Sequence, residues 1–238
     1  MKLVLVVIVV LSLFLGGNVF GQSGDGSQRE EQTIEELYLS QDIELQIIRG
    51  QALSNDRDLK FLALQSIRSS VEDGTLTEEN PGLFVILQAL ATEGTARQVR
   101  SEGAVINNYP EIRRQSAQLL GEIGGERSQQ VLLTILQEDP EPMVLAEAVY
   151  ALGTIGINDD NETLENIVFM LRRENAREAP DNNLAFASLL ALEKIAESQG
   201  GISDPEAINV VLEVAAGAYV RDVRLKAIDV INKLRGRG

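Results

Sequence analysis

Of 238 residues, 44% are hydrophobic and 24% charged, a balance that supports a folded protein rather than a disordered chain. His, Cys and Trp are absent, which excludes disulfides, thiolate nucleophiles, zinc–thiolate sites and any catalytic dyad or triad built on imidazole. Acidic residues outnumber basic ones by 36 to 21, and a net charge of −15 argues against nucleic acid or an anionic membrane as the main partner.

The chain opens with Met1-Lys2 and then Leu3 to Leu15, in which Ser12 alone is not apolar. Val19 and Gly21 suit the −3 and −1 positions of a signal-peptidase site, so the pattern predicts a signal peptide over 1–21, cut after Gly21. A spanning helix needs about 18–20 apolar residues, so membrane contact is expected only if this shorter segment stays uncleaved. No Cys stands at the junction to carry a lipid. The expectation is an exported protein, periplasmic or at the cell surface. An exported chain without Cys suits a bacterial envelope better than a eukaryotic secretory route. Gln22 to Gln32 contain no aliphatic residue and two glycines and read as a flexible linker, leaving 33–238 as the folded domain.

That domain repeats. Five segments share an apolar frame at offsets 0, +4, +8 and +11: Leu59, Ala63, Ile67, Ser70; Ile112, Ser116, Leu120, Ile123; Val144, Ala148, Leu152, Ile155; Leu184, Ser188, Leu192, Ile195; Val223, Ala227, Ile231, Leu234. At about 100° per residue these offsets form one narrow helical stripe. The +4 residue is Ala or Ser every time, small enough for another helix backbone to come close. Ser70 breaks the frame, and Val71 is expected to take its place. Second aliphatic segments precede or alternate with these: Ile43 to Leu53, Leu83 to Leu90, Val131 to Leu136, Leu164 to Leu171 and Ile208 to Val214. All six prolines fall in connections or first turns. Thr33-x-x-Glu36 and Ser203-x-x-Glu206 fit capping boxes, and Gly124 and Gly156 stand where helices should stop. Nothing alternates with period two for long, so no strands are expected. Tyr150 and Phe169 fall inside the aliphatic stripes and read as core. Frame spacings of 53, 32, 40 and 39 residues match arrays of two-helix repeats. The surplus in the first spacing lies around residues 95–108, which could hold a turn or two of helix or a plain loop.

Pro110 to Gly124 (PEIRRQSAQLLGEIG) resembles the first helix of the short HEAT-like repeat named after phycobilisome lyases, and so does Val144 to Gly156. Asp222-Val223-Arg224-x-x-Ala227 repeats that helix's Asp-Val-Arg opening, whereas Lys60, Leu145 and Ala185 depart from its arginine. The resemblance implies an all-α, HEAT-like α-solenoid of about five helix pairs and a tendency to bind proteins. It does not imply lyase activity, because fold and function separate readily.

Three features could carry chemistry. Asn158-Asp159-Asp160-Asn161-Glu162 is rich in oxygen ligands suited to calcium, but it lacks EF-hand spacing and reads better as a helix start. The pairs Glu35-Glu36 and Glu78-Glu79 could suggest acid–base catalysis, yet neighbours on a helix point about 100° apart. Arg113-Arg114 and Arg172-Arg173 are basic islands that could fork onto a partner's carboxylates or pair with acids of adjacent repeats. No catalytic residue, cofactor or metal site is expected. The rival readings are a structural subunit of an envelope assembly and a metal-dependent enzyme working with carboxylates alone.

The candidate partner surface is the last framed helix. Leu225 and Ile228 fall outside its stripe, and no helical segment follows before Gly238 to cover Ile228. Residues 218–238 hold Arg221, Arg224, Lys226, Lys233, Arg235 and Arg237 against only Asp222 and Asp229. The expected partner-binding set is therefore Leu225, Ile228, Arg221, Arg224, Arg235 and Arg237, with Arg172 and Arg173. The expected partner is a protein with an acidic surface, a second copy of this chain included.

Overall fold

The computed structural model describes residues 34–77, 81–96 and 98–235. The signal peptide, the linker, Thr33, Glu78-Glu79 and Arg237 lie outside the described residues, and of residues 34–42 only the backbone is described. Among the described residues no helix is long and apolar enough to cross a membrane.

Among the described residues ten α-helices occur in chain order: α1 (Ile34–Leu53), α2 (Arg57–Glu72), α3 (Pro81–Ala91), α4 (Pro110–Ile123), α5 (Gly125–Glu138), α6 (Pro142–Ile155), α7 (Glu162–Asn175), α8 (Asn182–Gln199), α9 (Pro205–Ala216) and α10 (Arg221–Leu234). Their ends follow from local chemistry. Pro81, Pro110, Pro142 and Pro205 each open a helix, where a missing N–H leaves no bond unmade. Asp56 and Asp181 cap α2 and α8 by accepting from two backbone N–H groups each. The cap of α9 is Asp204 rather than the expected Ser203, because Pro205 fixes the first helical position one residue later. Gly156 ends α6 in the left-handed region at φ 73°, which a side chain would strain.

The framed helices α2, α4, α6, α8 and α10 stack as one layer, and the intervening α1, α3, α5, α7 and α9 form the second. Each odd helix packs on the even helix that follows it, giving five pairs. The frame's +4 residues, Ala63, Ser116, Ala148, Ser188 and Ala227, are all completely buried between layers and neighbours. The two serines stay satisfied by donating to the carbonyls of Ile112 and Leu184 one turn earlier. Even-layer helices come closest at two glycines. A Cβ on Gly153 would lie 2.5 Å from Ala191 Cα, and one on Gly121 would lie 2.7 Å from Ala151 Cβ.

Four expectations need correction. Leu59 is exposed at the edge of α2, whereas Val71 does pack half-buried against the core, as Ile123 and Ile155 do at the end of their frames. Tyr150 and Phe169 are exposed, not core: a ring at either position sits on the outer side of its helix, where Lys194 and Arg173 cover it by cation–π contact. The surplus between α3 and α4 is neither helix nor plain loop. It is a small antiparallel hairpin, β1 (Arg100–Ser101) and β2 (Ala104–Val105), whose turn runs through Glu102 and Gly103 at positive φ. Asn107 fastens its base by accepting from the Val99 N–H at 2.8 Å.

Candidate protein-interaction surface

The basic islands of the sequence divide into spent and unspent charges. Arg113 is fully buried, and it forks onto Asp139 at 2.5 and 3.2 Å while donating to the Glu93 carbonyl and Asn108 Oδ1. Arg114 pairs with Glu147 at 3.1 Å. Both therefore serve the repeat array itself, by ion pairs between adjacent repeats. Arg172 meets Glu206 at 3.2 Å in a solvent-exposed pair, and Arg173 lies over Phe169 at 5.9 Å. These two sit on α7 in the odd layer, so the structure does not bring them onto the face of α10.

The basic residues of α10 and its cap Arg235 separate again. Lys226 turns inward to Glu193 of α8 at 2.6 Å, and Lys233 reaches Glu193 and Glu197. Burial raises the pKa of Glu193, but hydrogen bonds and charge from Lys226 and Lys233 outweigh it and hold the carboxyl below its ordinary value. A depressed folded pKa means the stabilisation is complete above the unfolded pKa and is lost as pH falls through the folded one. Glu193→Gln should therefore be less stable than the parent at pH 7 in urea titrations. The gap should narrow only once pH drops below the ordinary glutamate range, and a gap unchanged down to the acid limit would refute this.

Arg221, Arg224 and Arg235 are exposed and have no carboxylate partner among the described residues. With Val223 as zero, Arg221, Arg224, Ile228 and Arg235 all project between about 100° and 160°, with Leu225 near 200°. Leu225 and Ile228 are 51% and 52% exposed. The corresponding residues of the four preceding even helices, Leu64, Ala117, Val149 and Leu189, are buried by the next repeat. The result is an apolar ledge with three unpaired guanidinium groups beside it. Arg237 belongs to the same expected set but lies outside the described residues.

The acidic loop behaves as a helix start. Residues Asp159–Asn161 form one 3-10 turn before α7. Asn158 Oδ1 accepts from Leu164 N at 2.8 Å, and its amide donates to Asn161 and Gln199. Among the described residues no three Asp or Glu side chains group as a metal site. A cleft of about 280 Å³, which sequence reasoning missed, opens between α1, α3 and the hairpin, lined by Leu53, Val85, Ile86 and Val99 with Glu93 and Asn107. The hairpin's irregular turn residues carry no periodic signal that could have revealed it.

Comparison with known proteins agrees with this architecture. Residues 104–180 match the family model for HEAT repeats. Among curated proteins none matches the chain. The solved complex of CpcE and CpcF of phycocyanin lyase from Nostoc sp. PCC7120 is similar in fold, with a TM-score of 0.54 at 16% identity over 90% of this chain and 70% of that one. At that identity the likeness concerns fold alone. The chain is an all-α, HEAT-like helical repeat protein.

Proposed function

We propose that this chain is an exported, non-enzymatic scaffold of the bacterial envelope or periplasm that docks another protein on the outward face of α10. The observation that carries the reading is the unpaired basic and apolar surface of Leu225, Ile228, Arg221, Arg224 and Arg235, in a chain whose other basic islands are engaged internally or across adjacent repeats. Repeat arrays present long surfaces whose outer residues vary at little cost to the fold. The lack of His and Cys removes the side chains most often used for acid–base and nucleophilic chemistry. Export rests on the pattern of residues 1–21, and a mature N-terminus at Gln22 would support it.

The test is capture from an envelope fraction by the tagged chain. The parent should recover one protein in stoichiometric amount, and Leu225→Glu with Ile228→Glu should lose it while keeping the parent's helical circular dichroism. Equal capture by both would remove α10 from the interface. Arg172→Ala with Arg173→Ala tests whether α7 contributes separately.

A further inference from the structure

We infer that the partner docked on α10 is the N-terminal end of a second copy of this chain, which stacks as the next repeat; this rests on the interaction reading above. Three observations converge. The first is a rule in the ion pairs between repeats. In α2 and α4 the residue after the frame start is a buried cation, and it pairs with the acid in the connection that follows the next odd helix. Lys60 of α2 meets Glu93, between α3 and α4, at 2.8 Å, and Arg113 of α4 meets Asp139, between α5 and α6. Leu145 and Ala185 occupy this position in α6 and α8, where no charge needs a partner. Arg224 occupies it in α10 and is exposed without one. Were α1 and α2 of another copy placed after α10, the acid in the matching connection would be Asp56. Asp56 Oδ1 already caps α2, just as Asp139 Oδ1 accepts from Glu141 N while holding Arg113. Among the described residues no cation pairs with Asp56.

The second observation is the apolar face at the opposite end. Counted from the innermost aliphatic residue of each helix, Ile48 in α1 and Leu132 in α5, Ile47 takes the place of Val131, and Ile43 lies one turn before it on the same face. Val131 is buried in α5, whereas Ile43 and Ile47 are 58% and 56% exposed. The pair would meet the ledge of Ile228 much as one repeat meets the next. The third is charge. Residues 34–58 carry six acidic groups against Arg49 and Arg57, while residues 218–238 carry six basic against two acidic. Opposite ends of opposite sign favour a head-to-tail contact and disfavour either end meeting itself. Such a contact is heterologous, so it propagates along a row of copies instead of closing as a two-fold dimer.

Sedimentation velocity of the purified chain across a range of concentrations tests the assignment. The parent should form species larger than a dimer, weakening as salt screens the ends. Ile228→Glu, Ile47→Glu and Arg224→Glu should each weaken association by about thirty-fold or more, as expected when a buried contact or charge pair is broken. Asp56→Asn keeps the helix cap, since Asn caps as well as Asp, and should still weaken association. The decisive arm mixes Ile228→Glu with Ile47→Glu. Each variant retains one sound end, so the mixture should give dimers and nothing longer. A mixture that stays monomeric overturns the inference, and so does loss from α10 substitutions alone, which would mean that α10 meets a surface of the second copy other than α1. A monomeric parent also overturns it. If that parent's capture of a different envelope protein still depends on Leu225 and Ile228, the interaction reading stands without the second copy.

Discussion

Arg113→Ala should lower stability by about 3–5 kcal/mol, the usual cost of removing one member of a buried ion pair. Its guanidinium is fully buried, and Asp139 opposite it has a side chain only 1% exposed. Truncation would strand that carboxylate with the Glu141 N–H as its remaining bond, at 2.9 Å. It would also release the Glu93 carbonyl and Asn108, which tie the segments on either side of the hairpin to α4. Arg114→Ala, one residue along, breaks a half-exposed pair with Glu147 and should cost at most about 1 kcal/mol. Urea midpoints at constant slope read both changes. Comparable losses would show that the Arg113 cluster contributes no more than an ordinary surface pair. Arg113→Lys should fall between them, because an ammonium cannot fork onto both carboxylate oxygens.

Leu152→Ala should cost about 2–5 kcal/mol, the range for removing a large aliphatic side chain from a packed core. Leu152 is the +8 residue of α6, the middle helix of the even layer, and is fully buried. Helices α4 and α8 flank it and α5 backs it, so the cavity left by truncation has little room to collapse. Glu147→Ala, on the other side of the same helix, forfeits only its contact with Arg114 and should change stability by less than about 1 kcal/mol. Equal effects from the two would place the buried face of α6 wrongly.

The architecture was legible because one physical requirement recurs five times. A helix stacked in a layer must bury a stripe and present a small residue where its neighbour crosses, and Ala63, Ser116, Ala148, Ser188 and Ala227 record it. Polar burial was not legible in the same way. Lys60 and Arg113 look like surface charges in sequence, and only the fold sets Glu93 and Asp139 opposite them. Tyr150 and Phe169 misled for the converse reason: apolar character within a stripe does not distinguish its centre from its outer margin, and a cation over the ring makes exposure tolerable. The candidate surface on α10 was readable from helical angle and charge. Its division into spent lysines and unspent arginines was not, because that depends on Glu193 lying on the neighbouring helix. Arg172 and Arg173 share its chemistry but not its place.

The glycine contacts of the even layer bear on the curvature of the whole array. Where Gly121 faces Ala151 and Gly153 faces Ala191, helix backbones approach more closely than those of the odd helices do. A repeat that is thinner on one side than on the other is a wedge, and stacked wedges bend toward the thin side. Such wedging puts the even helices, and with them the exposed Tyr150 and Phe186, on the thin side. Widening either glycine to alanine would straighten the arc as well as crowd the core, changing the span between the acidic and basic ends without touching a residue at either.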